Sequence, residues 1–433
     1  MKKITLLLFL CNVAVGALWA QSDKKDSIVH IVPPTKSPLT IGGYGEAVMQ
    51  RMLYSDNVAR YYYPTSYASE THGRADLPHV VLYTAYNFGS GWKMSMELEY
   101  EHGGAGTTYE IENSEAGEYE TEIEKGGEVA IEQFWIEKSF SKAANLRMGH
   151  IIVPVGLTNQ YHMPTEFFGV LRPEEESSIL PCTWHETGIS FWGRAGAWRY
   201  EAMFIAGLDA ERFGNSTWIA GGSTSPYEFK IANAYAGAAR VDNYSVKGLR
   251  VCVSGYYGFS AANSLKADRY AARNVKGIVS IGALDAEYKG HNVWARGNFV
   301  YGYLGGSYDI SMVNKRLPSA SPSPRSEVAS DALGGYVEAG YDVLALLGKN
   351  SNAVHPQRLY IYGHYGYYDS MFKTAEGIAD KDWCARNVIS AGVNYYPVKE
   401  VVIKAEYSFR KLAAAYNNEP TISVGVGYAG IFK

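Results

Sequence analysis

The feature that most constrains this chain is that its connections alternate in length while its strands keep a period of two. In "KMSMELEYE", Met94, Met96, Leu98 and Tyr100 alternate with Lys93, Ser95, Glu97, Glu99 and Glu101. In "VVIKAEYSFR", Val401, Ile403, Ala405, Tyr407 and Phe409 alternate with Lys404, Glu406, Ser408 and Arg410. In "QRLYIYGHYGYY", Leu359, Ile361, Tyr365 and Tyr367 share one face, and Arg358, Tyr360, Tyr362 and His364 the other. Successive side chains on a strand point to opposite faces, so each run has one apolar and one polar face. Such runs predict about sixteen strands, near 39–50, 78–88, 91–102, 128–140, 144–153, 185–194, 197–209, 233–243, 249–260, 275–288, 292–305, 333–346, 357–368, 386–396, 400–412 and 420–432. Most are long enough to cross a bilayer at a tilt, which takes about 9–11 residues.

The connections 51–77, 103–127, 154–184, 210–232, 261–274, 306–332 and 369–385 are long. Those between them, 89–90, 141–143, 195–196, 244–248, 289–291 and 397–399, are short. Residues 347–356 are intermediate, and 413–419 fall below the expected length. A soluble sandwich has no reason to keep loop length in phase with strand parity. An up-and-down transmembrane barrel has. An open sheet would leave unpaired edges, each backbone group costing several kcal/mol in lipid, and closure removes them. The expectation is an all-β, closed antiparallel transmembrane β-barrel of about 16 strands over residues 39–433. Sixteen strands enclose an aqueous lumen, whereas about eight fill themselves with side chains. The polar face is therefore expected to line water, and Leu98, Ile361, Ile403 and Val424 to face lipid.

The rest of the sequence agrees with export. "MKKITLLLFLCNVAVGALWAQ" has a basic start, an apolar run and Ala20 before Gln21, which reads as a signal peptide over 1–20. Residues 21–38, polar and proline-rich, read as a flexible periplasmic leader. No later run of about 20 apolar residues marks a membrane-spanning helix. A formal charge of -4, about -6 once Lys2 and Lys3 are removed, gives no basic footprint for nucleic acid. Cys182, Cys252 and Cys384 are scattered and outline neither a disulfide framework nor a zinc site. The acidic run at 110–128 reads as solvated loop surface, with binding of divalent or lipopolysaccharide-bridging cations as the alternative.

"PVGLTNQYHMPTEFFGVLRPEEESSILPCTW", residues 154–184, stands between two strands and is neither strand nor tight turn. Together, "NLRMGHIIVPVGLTNQYHMP", "LRPEEESSILPCTWHETGISFWG" and "YEAMFIAGLD" resemble the phosphate-selective porin O and P superfamily, specifically its branch common in Bacteroidetes. The shared elements are an arginine-glycine strand, P-x-G, N-x-x-H-x-P, R-P, I-x-P-x-x-W and E-T-G, over about residues 128–209. The end, "ISVGVGYAGIFK", is similar to the aromatic terminal strand of outer-membrane proteins, with Lys433 following Phe432. The resemblance implies a sixteen-stranded barrel, often a homotrimer, that passes small solutes by diffusion in the outer membrane of a Gram-negative bacterium. Its partners would be outer-membrane lipid and lipopolysaccharide and small polar or ionic solutes, with no cofactor. It also implies that 154–184, the third external loop, folds inward and constricts the bore. Pro154, Pro164, Pro173 and Pro181 would stiffen it, and Phe167, Phe168 and Trp184 would anchor it. Phosphate selectivity goes with constriction lysines, and this loop has none; it has Arg172 beside Glu166, Glu174, Glu175 and Glu176. Arg172 is expected to pair with those acids.

Parity turns a nearly balanced set of charges toward the lumen. The cations are Lys93, Arg147, Arg199, Arg240, Arg250, Arg296, Arg358, Lys404 and Arg410. The acids are Glu46, Glu97, Glu99, Glu101, Glu201, Asp242, Glu338, Asp342 and Glu406. The functional reading is a transverse field across a pore; the alternative is ion pairs bracing the wall. His150, His162 and His185 fit no recognised metal spacing, so no metal ligand is expected. No local motif assembles nucleophile, base and orienting group, which places the chain outside the enzyme classes. Two functions remain: an open diffusion porin, or a closed barrel acting as an adhesin or assembly partner through its external loops.

Overall fold

The computed structural model describes residues 37–103, 110–113, 119–122, 128–223, 230–318, 321, 323–346, 356–413 and 418–432. The expected signal peptide and most of the leader lie outside these residues, as does part of the acidic run 110–128. Among the described residues there are nineteen strands, in chain order β1 Leu39–Met52, β2 His72–Asp76, β3 His79–Gly89, β4 Trp92–Glu101, β5 Glu110–Asn113, β6 Tyr119–Glu122, β7 Glu128–Ser141, β8 Ala144–Ile152, β9 His185–Ala195, β10 Trp198–Ala206, β11 Tyr235–Asn243, β12 Leu249–Phe259, β13 Ile278–Gly290, β14 Val293–Leu304, β15 Asp331–Asp342, β16 Arg358–Lys373, β17 Ala385–Val398, β18 Val401–Lys411 and β19 Glu419–Ile431. β5 and β6 form a separate hairpin, and β2 pairs with β1 just beyond β3. The remaining sixteen pair antiparallel with their sequence neighbours. β1 closes the sheet against β19, from Gly42 opposite Ile431 to Met52 opposite Thr421. The sixteen-stranded closed barrel expected from strand rhythm is the fold observed. The expected strand at 333–346 ends instead at Asp342, and Val343–Leu346 turn into a helix.

Short connections alternate with long ones because the turn residues permit it. His291 and Asn292 both take positive φ, 53° and 63°, as the tight hairpin between β13 and β14 requires. Outward positions are apolar and open: Val253, Ile361, Ile403 and Val424 are all exposed. Phe88, Trp92, Phe140 and Trp198 stand exposed near the short turns, and Tyr100, Tyr235, Tyr257 and Tyr303 near the long loops. An apolar band between two aromatic girdles is the lipid-facing surface of a transmembrane barrel. Among the described residues no helix is long and apolar enough to cross a membrane; the strands cross instead.

The interior differs from expectation. Inward side chains such as Arg147, Arg240, Glu201, Glu338 and Lys404 are buried, as are the inward apolar residues Val279, Val300 and Val402. The polar face therefore does not line open water at these positions. Two packed bodies cover it. One is the connection between β8 and β9. The other is a cap at the long-loop end, where Phe213, Trp218, Ile219, Tyr270, Ile310 and Leu317 share a core with upper-wall residues. Trp218 Nε1 donates to the Ala329 carbonyl (3.1 Å), and Asn314 Nδ2 to those of Ala210 and Phe213 (3.0 and 3.2 Å), which joins two external loops.

The outer face sets a cost that the inner face does not share. Val424→Arg or Ile403→Arg should lower folding stability by about 2–4 kcal/mol near the membrane midplane, whereas Val424→Leu should change it little. Unfolding equilibria in lipid vesicles measure both. An equal response of the two Val424 variants would refute the assigned faces.

Candidate functional site

The loop after β8 runs through the barrel. Its base closes where the Val153 N–H donates to the Trp184 carbonyl (2.8 Å). No residue from Val153 to Trp184 is exposed. A backbone folded inside a barrel must find partners for its own polar groups, and asparagine and glutamate side chains supply them. Asn159 Nδ2 donates to the Val153 carbonyl (2.8 Å), while its Oδ1 accepts from the Trp184 N–H (2.6 Å). Glu176 Oε2 accepts from the N–H groups of Leu157 and Thr158 (2.8 and 3.1 Å), and Oε1 from that of Asn159 (2.8 Å). Asn298 Nδ2 on β14 donates to the same carboxylate. Gly156, at φ +83°, gives Glu176 room, since a Cβ there would meet the carboxylate.

The acidic triplet opens one helical turn, α1 Glu174–Ser177, and its three members reach in three directions. Glu174 binds Arg410 on β18 through both carboxylate oxygens, each 2.7 Å from Nε. Glu175 Oε1 lies 2.9 Å from His364 Nε2 on β16, whose Nδ1 is 3.3 Å from Glu338 Oε2. Glu176 holds the loop itself. Burial raises the Glu175 and Glu176 carboxyls above their ordinary range, and pushes that of Glu166 up to about 7.

The aromatic anchors occupy shaped places. Phe168 is fully buried, stacked on Tyr362 (centroids 5.0 Å apart) and against Trp294 (4.4 Å). Gly340 leaves the space for its ring, as Gly366 does for the Glu175 carboxylate. Phe167 presents its carbonyl to Lys404 Nζ (2.9 Å) and its ring to the same ammonium, 3.8 Å from the centroid. Trp184 packs on Tyr256 (4.9 Å). Glu166 accepts from the Met163 N–H (3.3 Å). Arg172 departs from expectation. It donates to the His162 carbonyl (3.3 Å) and Thr183 Oγ1 (2.9 Å) rather than to the neighbouring glutamates, because Glu174 and Glu175 are turned to wall residues, Glu176 to loop N–H groups and Glu166 to the Met163 N–H.

The wall charges form a continuous series of ion pairs over β4, β7, β8 and β10–β13. Lys93 faces Glu137 (3.9 Å), Glu137 binds Arg147 (2.9 Å), and Arg147 reaches Glu201 (3.8 Å). Arg199 joins Glu201 (2.6 Å) to Asp242 (3.4 Å). Arg240 joins Asp242 (2.9 Å) to Asp285 (3.4 Å), and Arg250 binds both acids. Further round, Arg296 lies 3.3 Å from Glu338, and Glu406 accepts from the Tyr362 hydroxyl (2.6 Å). Glu97 accepts from Gln133 Nε2 (2.6 Å) and Glu99 contacts His79. Arg358 is exposed at the start of β16. The loop docks on this series: Arg240 Nη1 donates to the Gly156 carbonyl (2.8 Å), and the Arg250 guanidinium sits 4.5 Å from the Tyr161 ring centre.

One expectation is overturned. Enzyme chemistry was set aside because no motif assembled a reactive set, yet the fold brings His79, Glu99 and Glu101 together with one ligand atom of each within 4.8 Å of the others. An imidazole beside two carboxylates is a donor set from which acid–base or metal-assisted chemistry can be built, so the exclusion does not stand. Sequence reasoning also gave no role to His364, to Asn298, or to Asn159, the first residue of the N-x-x-H-x-P element. His364 shares the inward parity of Tyr362, the only signal it gave.

No family model matches the chain. It is 26% identical over 381 residues to an uncharacterized protein of Aquifex aeolicus (strain VF5), covering 86% of this chain and 76% of the relative. Among solved structures, OmpF of Salmonella typhi in complex with daunomycin superimposes with a TM-score of 0.53 at 11% identity, over 90% of this chain and 97% of that one. An anion-selective porin from Comamonas acidovorans gives 0.48 at 10% identity, over 90% and 99%. OmpT of Vibrio cholerae in its trimer form gives 0.46 at 11%, over 91% and 100%. What the chain shares with OmpF is the fold: a closed, sixteen-stranded antiparallel barrel of the outer-membrane porin type.

The Glu176 cage makes a direct prediction. Glu176→Ala leaves three buried N–H groups without their acceptor, at about 1–3 kcal/mol for each group left unsatisfied. Hydrogen exchange should then accelerate within 154–184 while the barrel strands stay protected. Unchanged protection of the loop would show that the cage does not hold it.

Proposed function

We propose that this protein is an outer-membrane barrel of a Gram-negative cell that passes small polar or ionic solutes, and that the loop 154–184 acts as its plug and sets when solutes pass. One observation carries the reading: the third long connection has no exposed residue and is tied to facing walls of the barrel, through Arg410, His364, Asn298, Arg240 and Lys404. A loop used only to decorate the rim would not be given buried partners at so many heights. The pore-lining set, from Lys93 through Glu406, then lines the route that opens beside the loop, and in the closed state its members brace one another. The finer kinship with the phosphate-selective porin O and P superfamily, and assembly as a homotrimer among lipid and lipopolysaccharide, are proposals that rest on the resemblance over residues 128–209. The absence of lysine from 154–184 argues against phosphate as the solute.

The filled interior favours a second reading, a closed barrel that acts through its external cap as an adhesin or assembly partner. Conductance in planar bilayers separates the two. The wild-type protein should show low conductance with rare steps. Glu174→Gln/Glu175→Gln/Glu176→Gln, and a variant with 156–182 replaced by a short glycine-serine linker, should show large, frequent steps. Silence from both plug-released variants, folded by heat-modifiable gel migration, would leave the closed barrel; a large steady wild-type current would refute the plug.

A further inference from the structure

The wall formed by β3, β4 and β7 balances its acids differently from the rest of the interior. Along β8–β13 the buried carboxylates of Glu201, Asp242 and Asp285 each meet guanidinium groups. On β4, Glu97, Glu99 and Glu101 occupy successive inward positions. Glu132, fully buried, is the extra residue where the β4–β7 register shifts between Glu97 and Leu98. Among the described residues, neither Glu97 nor Glu99 has a lysine or arginine in ion-pair contact, and Glu132 Oε1 has no hydrogen-bond partner. The groups that face these acids are imidazoles: His162 Nε2 of the inserted loop lies 3.5 Å from Glu132, and His79 of β3 stands between Glu99 and Glu101, while the fixed positive charge nearby is the Arg172 guanidinium of the loop.

We propose that His79, Glu99 and Glu101 bind one divalent cation of the Zn²⁺ class at the long-loop mouth of the barrel. His79 Nδ1 is 2.6 Å from Glu99 Oε1 and 3.8 Å from Glu101 Oε1, and the three ligand atoms fall within 4.8 Å of one another. Donors held about 2.0–2.2 Å from one zinc ion lie roughly 3–3.5 Å apart, a separation reached when the His79–Glu99 pair opens from its 2.6 Å contact and the Glu101 side chain rotates inward. His79 opens β3 and is paired with Glu101, which ends β4, so two strands fix the three donors as the sheet register demands. The site opens on one side. The Glu101 side chain is 35% exposed, while that of Glu99 is 5% exposed. A nitrogen donor with two carboxylates suits Zn²⁺ better than Mg²⁺ or Ca²⁺, which prefer all-oxygen shells. The cation also places positive charge directly on the buried Glu99 carboxylate, which has no lysine or arginine in ion-pair contact, and buried carboxylates are costly until paired. Next to the site, His102 Nδ1 lies 2.7 Å from Asp76, an outer pair at the same rim.

The competing candidate is the pair His150 and His185, whose ring nitrogens are 2.5 Å apart. The test therefore separates them. Full-length protein in detergent, stripped with chelator, is titrated with ZnCl₂ by calorimetry, and the stoichiometry is checked by elemental analysis after dialysis. One Zn²⁺ per chain is expected. Glu99→Gln and His79→Ala should each weaken binding by about tenfold or more, the scale on which altered coordination is felt, and His150→Ala should leave it unchanged. Excess Mg²⁺ should not displace the zinc. Heat-modifiable gel migration verifies that each variant is a folded barrel; if His79→Ala does not fold, Glu99→Gln, which keeps the side-chain shape, carries the test. Absence of binding, loss on His150→Ala instead, or displacement by Mg²⁺ would each overturn the site.

Discussion

In hydrocarbon no backbone N–H or C=O can be left without a partner, and the pairing of β1 with β19 is where this chain meets that demand. Everything else hangs on this closure. It fixes the register from Gly42 opposite Ile431 to Met52 opposite Thr421. The register in turn decides which side chain of every strand faces lipid and which faces inward. A slip of one residue would put Lys404 and Glu406 into lipid and Ile403 into the interior. The exposed Ile403, Val424 and Val426 and the buried Lys404 show the register that holds.

Closure creates a second problem, an interior wide enough to be wet yet lined by charges. The chain meets it by packing. Guanidinium groups alternate with carboxylates from strand to strand, so most charges removed from water find an opposite partner. The inserted loop uses what remains: the free edges of Arg240, Lys404, Arg410 and His364 point to loop carbonyls and carboxylates. Wall and loop thus satisfy each other, and glycines at 340 and 366 make the surfaces fit. An inserted loop held by polar contacts rather than by apolar area alone can be released by changing a few charges.

The barrel was legible because its signals are local. Alternation in "VVIKAEYSFR" and tight turns such as the one at His291 and Asn292 depend on neighbouring residues only. Strand ends drifted where a local signal was absent, as at Val343–Leu346, which is as apolar as the strand it follows but turns into a helix. The loop was legible in length, prolines and aromatic residues, while its partners were not. Arg172 has four glutamates close in sequence and pairs with none of them, because each is drawn to a wall residue more than 100 positions away, to a backbone nest or to its own turn. The meeting of His79 on β3 with Glu99 and Glu101 on β4 was equally hidden, since it depends on the register between the two strands.

The sequence by itself determined the strand count, the alternation of faces and the ends at which long and short connections lie, because the two-residue period and turn chemistry are properties of short segments. Only the tertiary structure decided that the connection 154–184 packs against the inner wall, that the inward charges of β8 and β10–β13 pair with one another, and that an imidazole and two carboxylates converge at the rim. Those outcomes depend on distances across the barrel, and such distances exist only once β1 has met β19.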